Sequence, residues 1–363
     1  MEYGVSPLEI QRPKISKMIN MAFPFKSLLS EPETQSLMFF LANSLVLIYV
    51  LLFVATWPYT LLYLVAHVAV FFVINKRLSS GRLYTSKKNL NSQIVIVTGA
   101  ASGIGRVTAV ELAKLQARVI VGIRGQTRAE RTAQELSKES DGNVIGYHLD
   151  LSDLSSIKAF AEKIDKVDIL INNAGVSKQK KELTKDGLEC TFGTNHIGHF
   201  YLTQLLLPLL IQSNGRIVNV SSVMHKFVSE NIDFAKVNSY NALTTYAESK
   251  LANVLHAVEL QRRYGNQGIK AYSLHPGGIL STELTREQTP ILTVLMAFFD
   301  VIISKTMSQG AMTTLYCALS DEAQPGKYHS NCRVAQPSLT AYNLRKAQEL
   351  WELSEQILKE KIK

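Results

Sequence analysis

Ile94-Val95-Ile96-Val97-Thr98-Gly99-Ala100-Ala101-Ser102-Gly103-Ile104-Gly105 is the stretch that decides the fold of this chain. Four β-branched residues in unbroken succession read as a strand buried on both faces, the pattern of a parallel sheet. The glycine turn after them leads into the helical spacing of Val110, Leu112, Ala113 and Leu115. Strand, glycine loop and helix, in that order, form the context a dinucleotide site requires. Gly99 allows the tight turn, Gly103 lets the backbone approach a pyrophosphate, and Gly105 lets helix and strand pack closely. The helix N-terminus supplies free N–H groups and partial positive charge. Cofactor contacts are therefore expected from Thr98, Gly99, Ser102, Gly103, Ile104 and Gly105. The spacing is Gly-x-x-x-Gly-x-Gly, not the more familiar Gly-x-Gly-x-x-Gly.

Outward from this loop, strands and helical patterns alternate, which predicts an α/β, Rossmann-type, doubly wound parallel sheet. Residues 119–123 read as the second strand and 144–149 as the third. Residues 167–171 form a fourth, broken by Asn172-Asn173-Ala174-Gly175. A fifth is expected at 217–220, a sixth at 269–274 and a short last one at 326–329, with long helices at 188–210 and 244–264. Arg124 stands at the end of the second strand. A carboxylate there would bind the ribose hydroxyls of NAD, whereas an arginine suits a 2′-phosphate, so NADP(H) is favoured over NAD(H). Asp150, after the third strand, has two readings: accepting from the adenine amino group, or capping the next turn.

Tyr246 and Lys250 lie four residues apart within a predicted helix. That spacing puts them on one face, about 6 Å apart along the axis. A free phenol titrates near 10, so acid–base work at pH 7 asks for a fall of about 3, or about 4 kcal/mol of differential stabilisation. A neighbouring ammonium favours the phenolate and acts in that direction.

Taken together, Thr-Gly-x-x-x-Gly-x-Gly at 98–105, Asn172-Asn173-Ala174-Gly175 and Tyr246-x-x-x-Lys250 resemble the short-chain dehydrogenase/reductase family from about Ile94 to the C-terminus. The finer resemblance is to its retinol dehydrogenase-like branch, through the motifs at 194–200, 216–222 and 249–253, His275-Pro276-Gly277, and the tail at 326–330 and 349–354. The resemblance implies a catalytic set of Asn195, Ser222, Tyr246 and Lys250. In it Tyr246 passes the proton and Ser222 hydrogen-bonds the substrate oxygen, with Ser221 structural. Lys250 binds the nicotinamide ribose and depresses the tyrosine pKa, and Asn195 kinks its helix and holds a water touching Lys250. Further cofactor contacts are implied at Asn173, Ala174, Gly175, Pro276, Gly277 and Thr282, with Ser281 as an alternative to Thr282.

The chain has 363 residues and a net charge of +9. One such catalytic domain needs roughly 250 residues, which divides the chain into 1–92 and 93–363. Between residues 36 and 75 there is no charged side chain. This stretch reads as an N-terminal membrane anchor, either a hairpin with arms at 37–56 and 59–74 broken by Trp57-Pro58, or one tilted span. Basic residues flank it on both sides, at Arg12, Lys14, Lys17 and Lys26 and again at Lys76, Arg77, Arg82, Lys87 and Lys88. That symmetry favours the hairpin and a catalytic domain facing the cytosol, on the endoplasmic reticulum or a lipid droplet. A polar, basic linker joins anchor to enzyme. The positive charge fits anionic lipid better than nucleic acid, for which no recognition motif is present.

Cys190, Cys317 and Cys332 are an odd number without Cys-x-x-Cys, so neither a disulfide framework nor a zinc site is expected. His196 and His199 read as packing or solvent-facing residues, not metal ligands. The apolar run at 291–299 reads either as a lid over a lipophilic substrate or as core. In related enzymes the two long helices pair subunits, which makes a homodimer an expectation. The rival to an enzyme is a nucleotide-sensing membrane protein that keeps the fold for binding alone.

Overall fold

The computed structural model describes residues 32–53, 59–235, 240–277 and 305–362. Thr282, the apolar run at 291–299 and the Trp57-Pro58 break lie outside them, so nothing structural follows for those expectations. The described residues begin with helices α1 (Pro32–Phe53) and α2 (Tyr59–Ser80), followed by β1 (Ile94–Thr98), α3 (Gly103–Lys114), β2 (Arg118–Ile123), α4 (Gln126–Ser140), β3 (Val144–His148), α5 (Leu154–Ala161) and β4 (Ile169–Asn172). A short helical turn (Cys190–Phe192) and a π-helical turn (Gly193–Gly198) lead into α6 (His199–Gln212). Then come β5 (Arg216–Val220), α7 (Ala242–Tyr264), β6 (Lys270–His275), α8 (Met307–Leu319), β7 (Tyr328–Ser330), β8 (Arg333–Val334) and α9 (Leu344–Lys361).

Among the described residues the strands form one sheet in the order β3-β2-β1-β4-β5-β6-β7-β8, parallel throughout except for the antiparallel β8. The alternation of β1 shows why its sequence is apolar without interruption. Val95 and Val97 face a core shared with α3 and with α8 residues such as Leu315, while Ile94 and Ile96 face a second core with Phe160 and Phe200. Each face carries its own helices, so neither set of side chains meets water. β1 sits between β2 and β4, and the connections leave it in opposite directions. The crevice at that switch point, beyond the strands' carboxyl ends, is where such sheets hold ligands.

β8 was not foreseen. It follows a two-residue turn at Asn331 and Cys332, both at φ 53 in the left-handed region. Tight hairpins use such turns because their twist matches that of the strands.

α9 packs along α7. Trp351, 2% exposed, meets Phe200 of α6 edge-on at 4.9 Å, and the Arg263 guanidinium covers its ring at 4.6 Å. Part of the α6–α7 surface on which a homodimer was expected is thus covered by a helix of the same chain.

α1 and α2 pack against each other through Phe71, which stacks on Phe39 at 5.9 Å and meets Phe40 edge-on at 5.4 Å. Among the described residues no helix is long and apolar enough to cross a membrane. Leu37, Leu41, Leu45, Val65 and Phe72 of this pair are nevertheless exposed.

Candidate active site

The glycine loop is shaped by what each glycine touches. Gly99 has φ +69, and a Cβ there would meet the Ala174 backbone at 2.8 Å. At Gly105 a Cβ would run into Gly99 O and the Asn173 amide, so helix, loop and β4 close on one another at that point. Gly103 differs: its φ is +61, yet a Cβ would meet nothing within 4 Å. Its backbone faces the cleft, which is the place a pyrophosphate needs. Ser102 is the N-cap of α3 but its hydroxyl makes no capping bond, which leaves it, with the first N–H groups of the helix, for phosphate oxygens. These residues fit a dinucleotide.

The cleft has a volume of ≈ 390 Å³ and continues past β2 to Arg124 and Arg128. Arg128 stands in the first turn of α4 and was not picked out from the sequence. Asp150 serves one of its two readings and leaves room for the other. Its Oδ1 accepts from the Ser152 N–H at 2.9 Å and from the Ser152 hydroxyl at 2.7 Å, capping that turn, while the residue also lines the cleft.

At the other end of the cleft lie Tyr246 and Lys250 of α7, with Gly175, Ser221 and Pro276. Lys250 is 3% exposed, donates from Nζ to Val220 O at 3.2 Å, and sits 5.5 Å from the centre of the Tyr246 ring. Burial pushes its pKa down to about 8. The Tyr246 ring is partly exposed, but its hydroxyl end is enclosed. Burial there pushes the phenol up to about 12, and a hydrogen bond with Ser222 pulls the other way. The expected depression of the tyrosine is therefore reversed. Taking the phenolate out of water outweighs the Ser222 hydrogen bond. At neutral pH Tyr246 is a proton donor.

Ser221 and Ser222 divide as the sequence suggests. The Ser221 hydroxyl donates to Lys250 O at 2.6 Å and ties β5 to α7, while Ser222 faces Tyr246. The Ser222 backbone is held by His225, whose Nδ1 donates to Ser222 O at 2.5 Å while its Nε2 accepts from Ser338 N at 3.2 Å.

Asn195 sits in the π-helical turn, where one extra residue widens the helix and frees backbone groups. Its Oδ1 accepts from Val176 N at 2.8 Å, and its Nδ2 donates to Val176 O at 2.9 Å and to Ser249 Oγ at 3.0 Å. It thereby joins the loop following Gly175 to the catalytic helix.

His199 is not the packing or solvent residue the sequence suggested. It is 1% exposed, with Nδ1 3.0 Å from Asn195 O and Nε2 2.8 Å from Thr98 Oγ1. A carbonyl only accepts, so Nδ1 carries the hydrogen and Nε2 accepts from the threonine. Thr98 Oγ1 in turn accepts from Asn173 N at 2.9 Å and Ala174 N at 3.0 Å. Burial holds His199 down at about 4, so it stays neutral and the chain of bonds stays directional. Among the described residues no group of three or more His, Cys, Asp and Glu side chains is placed to hold a metal ion.

A family profile described as short chain dehydrogenase matches residues 93–291. The chain belongs to the short-chain dehydrogenase family. This dehydrogenase is 40% identical over 292 residues to retinol dehydrogenase 12 of Mus musculus, covering 78% of this chain and 92% of that protein. It is 43% identical over 293 residues to human retinol dehydrogenase 11, covering 77% and 90%. A solved structure of an uncharacterized protein from Mycobacterium paratuberculosis is 36% identical, with a TM-score of 0.62, over 77% of this chain and 98% of that one. The dehydrogenase is accordingly an NAD(P)-dependent oxidoreductase related to retinol dehydrogenases. Of the sequence-predicted site residues, its cleft is lined by Gly99, Ser102, Gly103, Ile104, Gly105, Arg124, Asp150, Asn173, Ala174, Gly175, Tyr246, Lys250 and Pro276, while Thr98, Asn195 and Ser222 reach it through hydrogen bonds to lining residues. Arg128, His199 and His225 are the additions. Only Arg128 carried a readable signal, a second arginine one helical turn from Arg124.

Proposed function

We propose that this dehydrogenase is a membrane-associated, NADP(H)-dependent enzyme that interconverts an alcohol and a carbonyl on a lipophilic substrate. A retinoid is the first choice and a steroid or polyisoprenoid the next. The observation that carries the chemistry is Tyr246 beside Ser222 and Lys250 at the end of a cleft whose other end holds the glycine loop. A bound nicotinamide supplies or takes up the hydride. In reduction Tyr246 Oη gives its proton to the carbonyl oxygen, and Ser222 is the second donor as charge grows there. The Lys250 ammonium, 5.5 Å from the ring, stabilises the phenolate left behind. A phenol pushed up to about 12 suits reduction better than oxidation, for which a phenolate must already be present. Lys250 would hold the nicotinamide ribose, and Ser102, Gly103 and Ile104 the pyrophosphate. Arg124 and Arg128 would hold a 2′-phosphate, which supports NADP(H).

The relatives' names support a retinoid. The exposed apolar residues of α1 and α2, with Arg77 in the last turn of α2 and Arg82 and Lys87 after it, support a pair of helices lying in a lipid surface without crossing it. The same features support a position on the endoplasmic reticulum or a lipid droplet, with the site on the cytosolic side.

The test is turnover of all-trans-retinal, a ketosteroid and a polyprenal with NADPH and NADH, comparing the unaltered chain with Tyr246→Phe. One carbonyl class is expected to turn over with NADPH. The variant should lose about 10²- to 10⁴-fold in kcat, the usual worth of a positioned acid, and keep its affinity for NADPH. Silence across the panel with NADPH still bound would return weight to a sensing role.

A further inference from the structure

The segment between α2 and β1 reads as a polar, basic linker, and the structure straps it down. Arg82 N donates to Asn331 Oδ1 at 2.5 Å, and Cys332 Sγ donates back to Arg82 O at 3.6 Å. Tyr84 meets Tyr316 of α8 edge-on at 5.5 Å. Lys88 Nζ donates to Leu319 O and to Asp321, each at 2.8 Å. Leu90 is 2% exposed, and its N–H donates to Leu115 O at 2.8 Å. Gly81, at φ +70, is the one residue between the end of α2 and the first of these contacts. As a free coil, residues 81–92 would let the helices wander about 20 Å. Docked at Arg82, they have almost no slack.

The place of docking matters. β6 and β7 are paired in the register His275 to Ser330. The next residues on the two strands are Pro276, which lines the cleft, and Asn331, which holds Arg82. Adjacent strands lie about 5 Å apart. The apolar helices are therefore fastened to the carboxyl edge of the sheet, one strand from the catalytic end of the cleft. Leu83, 74% exposed, and the exposed Arg82 add an apolar and a basic side chain at the same spot.

We infer that this strap is an orienting device: it seats the mouth of the cleft against an anionic lipid surface, so that substrate passes from lipid to site without crossing bulk water. The inference rests on the membrane reading above and goes beyond it, because an anchor on a loose tether would concentrate the enzyme at a membrane without aiming it.

The test compares two deliveries of one substrate to the full chain. All-trans-retinal is supplied either in phosphatidylcholine–phosphatidylserine vesicles or bound to albumin, and the ratio of the two initial rates is read. One variant carries Gly-Ser-Gly-Ser inserted between Ser80 and Gly81, and a second is Asn331→Ala. Both should still sediment with vesicles, while the vesicle-to-albumin ratio falls about tenfold as the effective concentration of aimed encounters is lost. A ratio unmoved in both variants, with sedimentation intact, overturns the strap and leaves the membrane reading standing. An equal fall in both rates, in both variants, overturns it as well, since damage to the site would then explain the loss. An unaltered chain that does not sediment with vesicles removes the membrane reading and the strap together.

Discussion

The two ends of the cleft are built in different materials. The end formed by β1, β2 and α3 is written in backbone: glycines, an uncapped helix N-terminus, a strand terminus with an arginine. The end formed by β5, the π-helical turn and α7 is written in buried side chains that hold one another. A backbone site depends on the absence of atoms, and its residues act almost independently. A side-chain site depends on a network in which each member is oriented by another member several strands away. The first tolerates change except at the glycines and at Arg124 and Arg128. The second transmits change from residues that touch no substrate.

Gly103→Ala tests the first half of that contrast and has the largest expected effect beyond that of Tyr246→Phe. Nothing lies within 4 Å of its Cβ direction, so the fold should survive with about 1–2 kcal/mol of left-handed strain. The new methyl enters the cleft, and calorimetric titration should show NADPH binding weakened by more than that strain, on the order of a hundredfold, or about 3 kcal/mol. Unchanged affinity would mean the phosphates lie elsewhere.

His199 tests the second half. Phenylalanine there leaves the Thr98 hydroxyl only the more distant Ile171 O, at 3.4 Å, as acceptor and takes the side-chain donor from Asn195 O, a cost of about 1–3 kcal/mol. Part of that cost should fall on the geometry of the π-helical turn, lowering kcat about tenfold with little change in the KM for NADPH. His199→Gln, which can both donate and accept, should recover most of the rate. Equal stability loss in both variants with kcat unmoved would reduce His199 to packing.

Lys250 gives the smallest effect on stability and separates stability from function. Its folded pKa, about 8, lies below its ordinary 10.5. The unfolded chain therefore holds the proton more strongly, and stability rises as pH climbs from about 8 towards 10.5. Below about 8 the buried charge is a full cost. Lys250→Met removes it, and Asn253 Nδ2 still donates to Val220 O at 3.1 Å. The variant should melt about 2–4 °C higher at pH 7, for roughly 1 kcal/mol gained, lose the pH slope, and be nearly inactive. In the unaltered chain reductive turnover should fall as pH rises through about 8. A variant that melts lower would show that the ammonium is better satisfied than its one bond implies.

The contrast also explains what was legible beforehand. β1, the glycine loop and Tyr246-x-x-x-Lys250 could be read because strand burial, φ > 0 and helix periodicity leave local signatures. The π-helical turn at Gly193–Gly198 leaves none, since one inserted residue in a buried helix keeps the composition helical. His199 was misjudged because its partners, Thr98 and Asn195, are set by the crossing of β1 and α6 and not by spacing. The Asn331–Cys332 turn lacks the glycine that usually marks a tight hairpin, and with it β8 and the strap went unseen. The rise of the Tyr246 pKa depends on how much water the folded site removes, which a residue pair in a sequence cannot report.

The position of α9 has a consequence for synthesis. His196, in the same turn as Asn195, donates from Nε2 to Ser354 Oγ at 2.9 Å, and Trp351 fills the core beside it. α9 follows every strand of the sheet in the sequence, yet it completes the packing behind the first catalytic residue. A nascent chain can form the nucleotide half of the sheet as it emerges, but the turn that carries Asn195 must wait for α9. Activity is thus withheld from chains that stop short of α9, and a stop codon ahead of Leu344 would yield a protein that recognises its cofactor and reduces nothing.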